Sequence, residues 1–339
     1  MLAPEPRPLF IVGLPRSGTT LARELLSSHP HVSLCRHETH FIPSFTRQLG
    51  LDARLGKSEL TWFAAELRKT QLGRRAASYG ESQYIPSDSL QAAAATSAGV
   101  PWTDVIEDVC RFFSMPHGRE GRDESPIWGD KTPMYIRNLP LLLRLFPDSH
   151  IIGIVREVAA QTESEARHWR RSRVGAVGRW TRYNRSLLTE HARQPTRIHI
   201  VRYEDLTKDP SRAISDIERS VGLPARGTPA TLRGISDELG LGIGQTKVVA
   251  SQPAIRKLRR LEARSTRAVA EALGYLQVQN HSTTYPKEPT PPDTVERLFQ
   301  LLSRLFVGVD AAGLVAYHIR QKGIRPGIAY FRSTLRERG

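Results

Sequence analysis

The stretch Leu9–Leu21, LFIVGLPRSGTTL, constrains this chain more than any other. Leu9, Phe10, Ile11 and Val12 form a short apolar run that ends in Gly13, Pro15 and Gly18. A helical pattern follows, with Leu21, Leu25 and Leu26 on one face, and it stops near Ser28-His29-Pro30. A short apolar run, a Gly/Pro break and a 3.6-residue period read as a buried strand, a tight loop and the first turn of a helix. The N–H groups of that first turn have no acceptor within the helix, and the helix dipole is positive there. Such a turn cradles phosphate-like anions.

The composition of the loop selects among anions. Gly13 and Gly18 keep the G-x-x-x-x-G spacing of the nucleotide-kinase loop, whose next residues are a Lys for the β/γ-phosphates and a Ser/Thr for Mg²⁺. Here those two are Thr19-Thr20, and the positive charge sits inside the loop at Arg16. Without the Lys, the loop is poorly equipped for ATP with Mg²⁺. It suits a phosphate or sulfate held by amides, hydroxyls and one cation, drawn from Pro15, Arg16, Ser17, Gly18, Thr19 and Thr20.

Further ordered segments follow along the chain. His31–Cys35 is a plausible second strand, entering Arg36-His37-Glu38-Thr39-His40. Ile127–Pro133 leads into a Leu-rich helix that ends at Pro147-Asp148. His150–Val155 is nearly all apolar, as in a strand buried on both faces, and runs into Arg156 and a helical segment ending at Trp169. Arg197–Tyr203 is one more strand. Strands alternating with helices predict an α/β fold, a P-loop-type parallel sheet flanked by helices. Ligands of such sheets lie outside the carboxyl ends of the strands, where Arg16, Glu38, Arg156 and Tyr203 emerge.

The organisation expected is a loose N-terminal arm over residues 1–8, a main domain over 9–280, and a linker with helical C-terminal extension over 281–339. Within the main domain, 43–125 reads as a helical insertion. It holds helical patterns at Ser58–Lys69 and Trp102–Phe113 and the aromatics Trp62, Phe63, Tyr79, Tyr84, Trp102, Phe112 and Phe113. These residues form either an acceptor pocket or the core of a helical cap. The extension carries an amphipathic pattern over 294–320, suited to packing on the domain, pairing with a second copy or peripheral membrane contact.

Net charge is +15 over 339 residues, mostly Arg and widely spread, which attracts polyanions: nucleotide, nucleic acid or membrane surface. The two cysteines, Cys35 and Cys110, lack metal-ligand or disulfide-framework spacing. The N-terminus lacks the basic and apolar regions of a signal peptide, and no run is long enough to span a bilayer, so a cytoplasmic setting is expected.

The ordered motifs resemble one family. Pro15-Arg16-Ser17-Gly18-Thr19-Thr20 is similar to the 5′-phosphosulfate loop of sulfotransferases that use 3′-phosphoadenosine 5′-phosphosulfate (PAPS). Residues 11–42 resemble tyrosylprotein sulfotransferases, which run from a Pro-Arg-Ser-Gly-Thr-Thr-Leu loop through His-Pro-x-Val to Glu-Thr. The likeness extends over about residues 9–276, with a gap at 43–125.

The resemblance implies roles. Glu38 matches the catalytic base, with this chain one residue longer between Val32 and the Glu; His37 and His40 compete for that role. Lys131, in Gly-Asp-Lys-Thr-Pro, matches a Lys that stabilises charge on the sulfuryl group and leaving phosphate. As the bland reading, it is a solvent Lys at a helix start that Thr132 caps. Arg156 and Ser164 match the pair that holds the 3′-phosphate of PAPS. Tyr203, in Val-Arg-Tyr-Glu-Asp-Leu, matches a residue near the nucleotide. Lys247, with Ser251 and Arg256, lies where a late basic loop closes over PAPS. The implied reaction is in-line attack of an acceptor hydroxyl on sulfur, with adenosine 3′,5′-bisphosphate leaving and no metal needed. A P-loop ATP-dependent kinase and a non-enzymatic basic protein binding nucleic acid or membrane are the rivals. Neither accounts for the loop, the Arg156/Ser164 pair and the Lys131 segment together, so no nucleic-acid partner is expected.

Overall fold

The computed structural model describes residues 7–114, 125–169, 172–225 and 264–275. The chain divides into two compact units, residues 1–155 with 190–241 and residues 156–189 with 242–339.

The first unit holds a five-stranded sheet of β1 (Arg7–Gly13), β2 (Val32–Leu34), β5 (Ile127–Lys131), β6 (His150–Val155) and β7 (Ile198–Arg202). Their spatial order is β2-β5-β1-β6-β7, and every pairing is parallel. The central strand β1 is the apolar run of the sequence, with Phe10, Ile11 and Val12 fully buried. It begins at Arg7, whose N–H donates to the Pro126 carbonyl, so the arm expected over 1–8 gives up its last two residues to the sheet. From β1 the chain crosses by α1 (Thr19–Ser27) to the edge strand β2, and β5 later inserts between them. It then continues on the other side of β1 with β6. That reversal of direction beside β1 puts a crevice at the carboxyl ends of the strands.

Between β2 and β5 lies a helical cap: α2 (Ile42–Leu49), α3 (Lys57–Leu67), α4 (Gln71–Ser78), α5 (Asp88–Ala94) and α6 (Trp102–Phe112). A two-stranded antiparallel ribbon of β3 (Arg54–Leu55) and β4 (Val100–Pro101) ties its ends together. Its core is aromatic. Phe63 stands edge-on to Trp102 at 5.0 Å and to Phe45 at 5.1 Å, and Phe41 and Tyr84 complete the cluster. Such edge-to-face pairs add to simple area burial. Phe63, Tyr84, Trp102 and Phe113 therefore fill the cap, whereas Trp62 and Tyr79 stay exposed.

After β5, a 3₁₀ turn (Pro133–Arg137) and α7 (Leu139–Leu145) lead to β6. After β7 come α10 (Tyr203–Lys208) and α11 (Pro210–Ser220), the latter capped by the Asp209 carboxylate accepting from the Arg212 N–H.

The second unit contains α8 (Val158–Trp169), α9 (Arg173–Arg193) as far as Thr189, and the helix Arg264–Ala272. Trp180, Val177, Ala176 and Val269 are buried in it, and the hydroxyls of Thr181 and Thr266 meet at 2.7 Å. The linker and C-terminal helices expected over 281–339 lie outside the described residues.

Candidate active site

The loop between β1 and α1 is shaped by three backbone features. Gly13 approaches its neighbours so closely that a Cβ there would stand 2.5 Å from the Ile154 carbonyl oxygen and 2.7 Å from Ser17 Oγ. Arg16 (φ 73°) and Gly18 (φ 102°) both take the left-handed conformation, which curls the loop back on itself. α1 starts at Thr19 with no side chain capping its N-terminus. Ser17 is buried, and its hydroxyl has no hydrogen-bond partner among the described residues. A buried hydroxyl left unsatisfied asks for a ligand group or water. Uncapped amides, an orphaned hydroxyl and the exposed Arg16 together fit a tetrahedral anion such as a sulfate or phosphate.

Tyr203 lies against the same loop. A Cβ on Gly18 would fall 2.3 Å from the Tyr203 ring. The ring thus packs on the turn that carries the N-terminus of α1.

Glu38 and Lys131 come together at the carboxyl edge of the sheet from positions 93 residues apart. Lys131 ends β5, beside Ile11 of β1, and its Nζ donates to Glu38 Oε1 at 2.6 Å. Lys131 is almost wholly buried, so the bland reading keeps its helix start, just after Lys131 at Thr132-Pro133, but not its solvent exposure: the side chain is a buried cation with a specific partner. His40 Nε2 lies 3.0 Å from the other carboxylate oxygen of Glu38. Burial alone pushes the Glu38 carboxyl up, but the His40 hydrogen bond and the Lys131 charge outweigh it and hold the group down at about 2. Glu38 is therefore a carboxylate at every ordinary pH.

The two histidines flanking Glu38 separate clearly. His40 faces it, while His37 turns into the cap. The His37 ring stacks on Tyr79 at 5.6 Å, and its Nε2 lies 2.9 Å from the Glu81 carboxylate. Burial lowers the pKa of His37 despite Glu81. Glu81 also lines a 130 Å³ cavity with Leu67, Arg68, Tyr84 and Phe113, so one hydrogen bond separates the wall of that cavity from the neighbour of Glu38.

Arg156 and Ser164 lie in the second unit. Arg156 follows directly on β6, and its carbonyl accepts from Trp180 Nε1 at 2.9 Å. Ser164 lies on α8, half-buried, between Glu163, which pairs with Arg167 and Arg173, and Glu165, which pairs with Arg179 at 2.6 Å. Lys247, Ser251 and Arg256 lie outside the described residues.

Sequence reading missed the buried polar group beneath Glu38 and Lys131, made of Thr39, Asp130, Thr132 and Tyr135. Its one signal was a charged Asp130 inside a strand that is buried at every position. Among the described residues no group of three or more His, Cys, Asp and Glu is arranged to hold a metal ion. Nor is any of their helices long and apolar enough to cross a membrane.

A parallel sheet with a strand–loop–helix turn at its carboxyl edge, and a carboxylate–lysine pair at the same edge, defines an α/β protein of the P-loop-like class. Residues 8–227 match the family model described as "Sulfotransferase family", and the chain belongs to that family. Among curated relatives, Protein-tyrosine sulfotransferase A of Caenorhabditis elegans is 30% identical over 156 residues, 46% of this chain and 32% of that protein. Protein-tyrosine sulfotransferase 1 of Homo sapiens is 26% identical over the same length, 46% of this chain and 33% of that protein. The matched region thus spans about a third of these relatives. A solved sulfotransferase domain from the Synechococcus PCC 7002 olefin synthase aligns with 82% of this chain and 98% of its own, at 23% identity and a TM-score of 0.47.

Proposed function

We propose that this chain is a PAPS-dependent sulfotransferase acting on the hydroxyl of a small-molecule, lipid or sugar acceptor, a phenol included. The observation that carries this reading is the Glu38–Lys131 pair, a carboxylate and an ammonium at 2.6 Å on the edge of the sheet where the anion cradle opens. PAPS supplies an activated sulfuryl group on a 5′-phosphate and a 3′-phosphate that ATP lacks. The amides of Gly18 to Thr20, the Ser17 hydroxyl and Arg16 bind the 5′ end, while the Ser17 N–H, expected among these donors, is taken by the Leu14 carbonyl. Donors placed in advance for developing charge contribute on the order of 3 kcal/mol each. Arg156, with a planar fork suited to bidentate phosphate binding, and Ser164 take the 3′-phosphate.

Glu38 accepts the proton of the acceptor hydroxyl. At about 2 its affinity for that proton is low while Lys131 and His40 hold it. An incoming anion that draws the Lys131 ammonium away raises it, so Lys131 couples donor binding to base strength. Tyr203 supports the loop from the nucleotide side.

The test is thermal stabilisation of the full chain by adenosine 3′,5′-bisphosphate, against ADP and against ATP with Mg²⁺. A ligand at 100 times its Kd adds about 2.7 kcal/mol, which a melt reads as a shift of a few degrees. A response to the bisphosphate alone is expected. A response to ATP with Mg²⁺ alone would overturn the reading in favour of a kinase, and no response to any would favour a basic binding protein.

A further inference from the structure

Glu38 and Lys131 each belong to a segment whose neighbouring residues are fixed from below. Thr39 is fully buried, as are Asp130 and Thr132 on either side of Lys131. The Thr39 N–H donates to Thr132 Oγ1 at 2.9 Å and lies 3.4 Å from Asp130 Oδ1. The Thr39 hydroxyl donates to Asp130 Oδ2 at 3.0 Å, and its oxygen lies 2.7 Å from the Tyr135 hydroxyl. Tyr135 Oη in turn accepts from the Ile42 N–H at 3.2 Å.

The two ends of this chain of bonds fix its direction. An amide N–H can only donate, and Asp130, whose carboxyl burial pushes up to about 6, can only accept once it is ionised above that pH. The order is therefore Ile42 N–H to Tyr135, Tyr135 O–H to Thr39, Thr39 O–H to Asp130. Such a directed, fully buried series is rigid, because each bond polarises the next.

Its effect on the site follows from the alternation of an extended chain. Successive side chains of a strand point to opposite faces. Asp130 and Thr132 share the face that takes Thr39, and Lys131 between them points to the other. Thr39 is thus bonded to both residues that bracket Lys131, and Glu38 precedes Thr39. The backbone between the two anchor points, Thr39 and Ile42, carries His40 at φ 52°. A non-glycine residue there is strained unless its surroundings hold it, and the anchors on both sides do so. The His40 ring is thereby delivered to Glu38.

We propose that Thr39, Asp130, Thr132 and Tyr135 form a buried clasp that sets Glu38 against Lys131 and His40, with Thr39 its central positioning residue. None of the four touches a reacting atom. Their role for turnover rests on the reading of Glu38 and Lys131 as catalytic, whereas their role in setting the contact does not.

The contact is readable at neutral pH, because the Lys131 ammonium and the His40 ring both lie within hydrogen-bond distance of the Glu38 carboxylate. The carboxyl ¹³C NMR signal of Glu38 in the full chain at about pH 7, assigned with Glu38→Gln, needs no acceptor substrate. In Thr39→Val, which keeps the shape and removes the hydroxyl, that signal is expected to shift toward the position of a solvated carboxylate as the contacts loosen. Thr39→Ser, which restores the hydroxyl, is expected to return it. A folded Thr39→Val with the wild-type signal would overturn the clasp. Should Thr39→Val fail to fold, Tyr135→Phe removes only the far hydroxyl and is read in the same way: a shifted signal supports the clasp and an unchanged one overturns it. The bisphosphate melt of the wild-type chain reports separately on the sulfotransferase reading, so either can fail without the other.

Discussion

Gly18 bears two constraints at once: a backbone angle that L-residues avoid, and a ring where a side chain would begin. Gly18→Ala is expected to cost about 1–2 kcal/mol for the left-handed conformation alone. The clash with Tyr203 adds to that, and calorimetry is expected to show weakened adenosine 3′,5′-bisphosphate binding. In the double variant with Tyr203→Ala, only the clash is relieved. A part of the stability loss should therefore return, and full recovery would mean that backbone strain contributes nothing. Ser17, one residue earlier, is the opposite case, a buried hydroxyl without a hydrogen-bond partner among the described residues, which the proposed 5′-phosphosulfate would supply. Thr39 shows what the sequence conceals at this scale. Nothing in a single threonine announces that three other side chains converge on it, since convergence is a property of the folded chain.

At the scale of elements, β1, β2, β6 and β7 were plain in the sequence as short runs rich in apolar residues, and β6 matches its expected limits; β5, with Gly129, Asp130 and Lys131 in its five residues, was not. The cradle was equally plain, since Gly13, Pro15, Arg16 and Gly18 are residues that a tight loop demands. The cap was not. α4 is largely polar, and α5 is a short Ala-rich turn with Ser87 as its N-cap. The packing of α2, α3 and α6 depends on Phe41, Phe45, Phe63 and Trp102 meeting across gaps in sequence that no period reveals. The pairing of His37 with Glu81 was hidden for the same reason. The 3′-phosphate assignment belongs at this scale, because it rests on a strand end followed by a helix. Arg156→Ala is expected to weaken adenosine 3′,5′-bisphosphate binding by about tenfold or more, as charge-assisted bidentate contacts are lost. ADP binding should change far less. Equal losses for both nucleotides would remove Arg156 from the 3′ site.

For the molecule as a whole, the end of the sheet far from the cradle sets an acid limit on stability. His150 and His199 sit side by side at the starts of β6 and β7, with ring nitrogens 3.3 Å apart. Burial first, then His199, Arg7 and Arg197, push the pKa of His150 down to about 4. Burial and His191 lower that of His199 as well. At this pair the unfolded chain, with ordinary imidazoles, binds more protons than the folded one between about pH 6.5 and 4, while Asp130, pushed up to about 6 by burial, opposes one of the two histidines there. Stability is therefore expected to fall as pH drops through that window and to be insensitive to this pair above it. Urea unfolding from pH 7.5 to 4.5 would show the slope, and His150→Gln should flatten it; an unchanged slope in the variant would locate the acid sensitivity elsewhere. The order β2-β5-β1 has a different consequence, one of timing. During synthesis the anion loop and Glu38 leave the ribosome early, but β1 and β2 have no partner in each other. They wait for β5, more than ninety residues later, to slide between them, and Lys131 arrives with it. The last strand to enter that half of the sheet brings the charge that completes the site, so a chain arrested before β5 carries the residues of the cradle without a sheet to hold them.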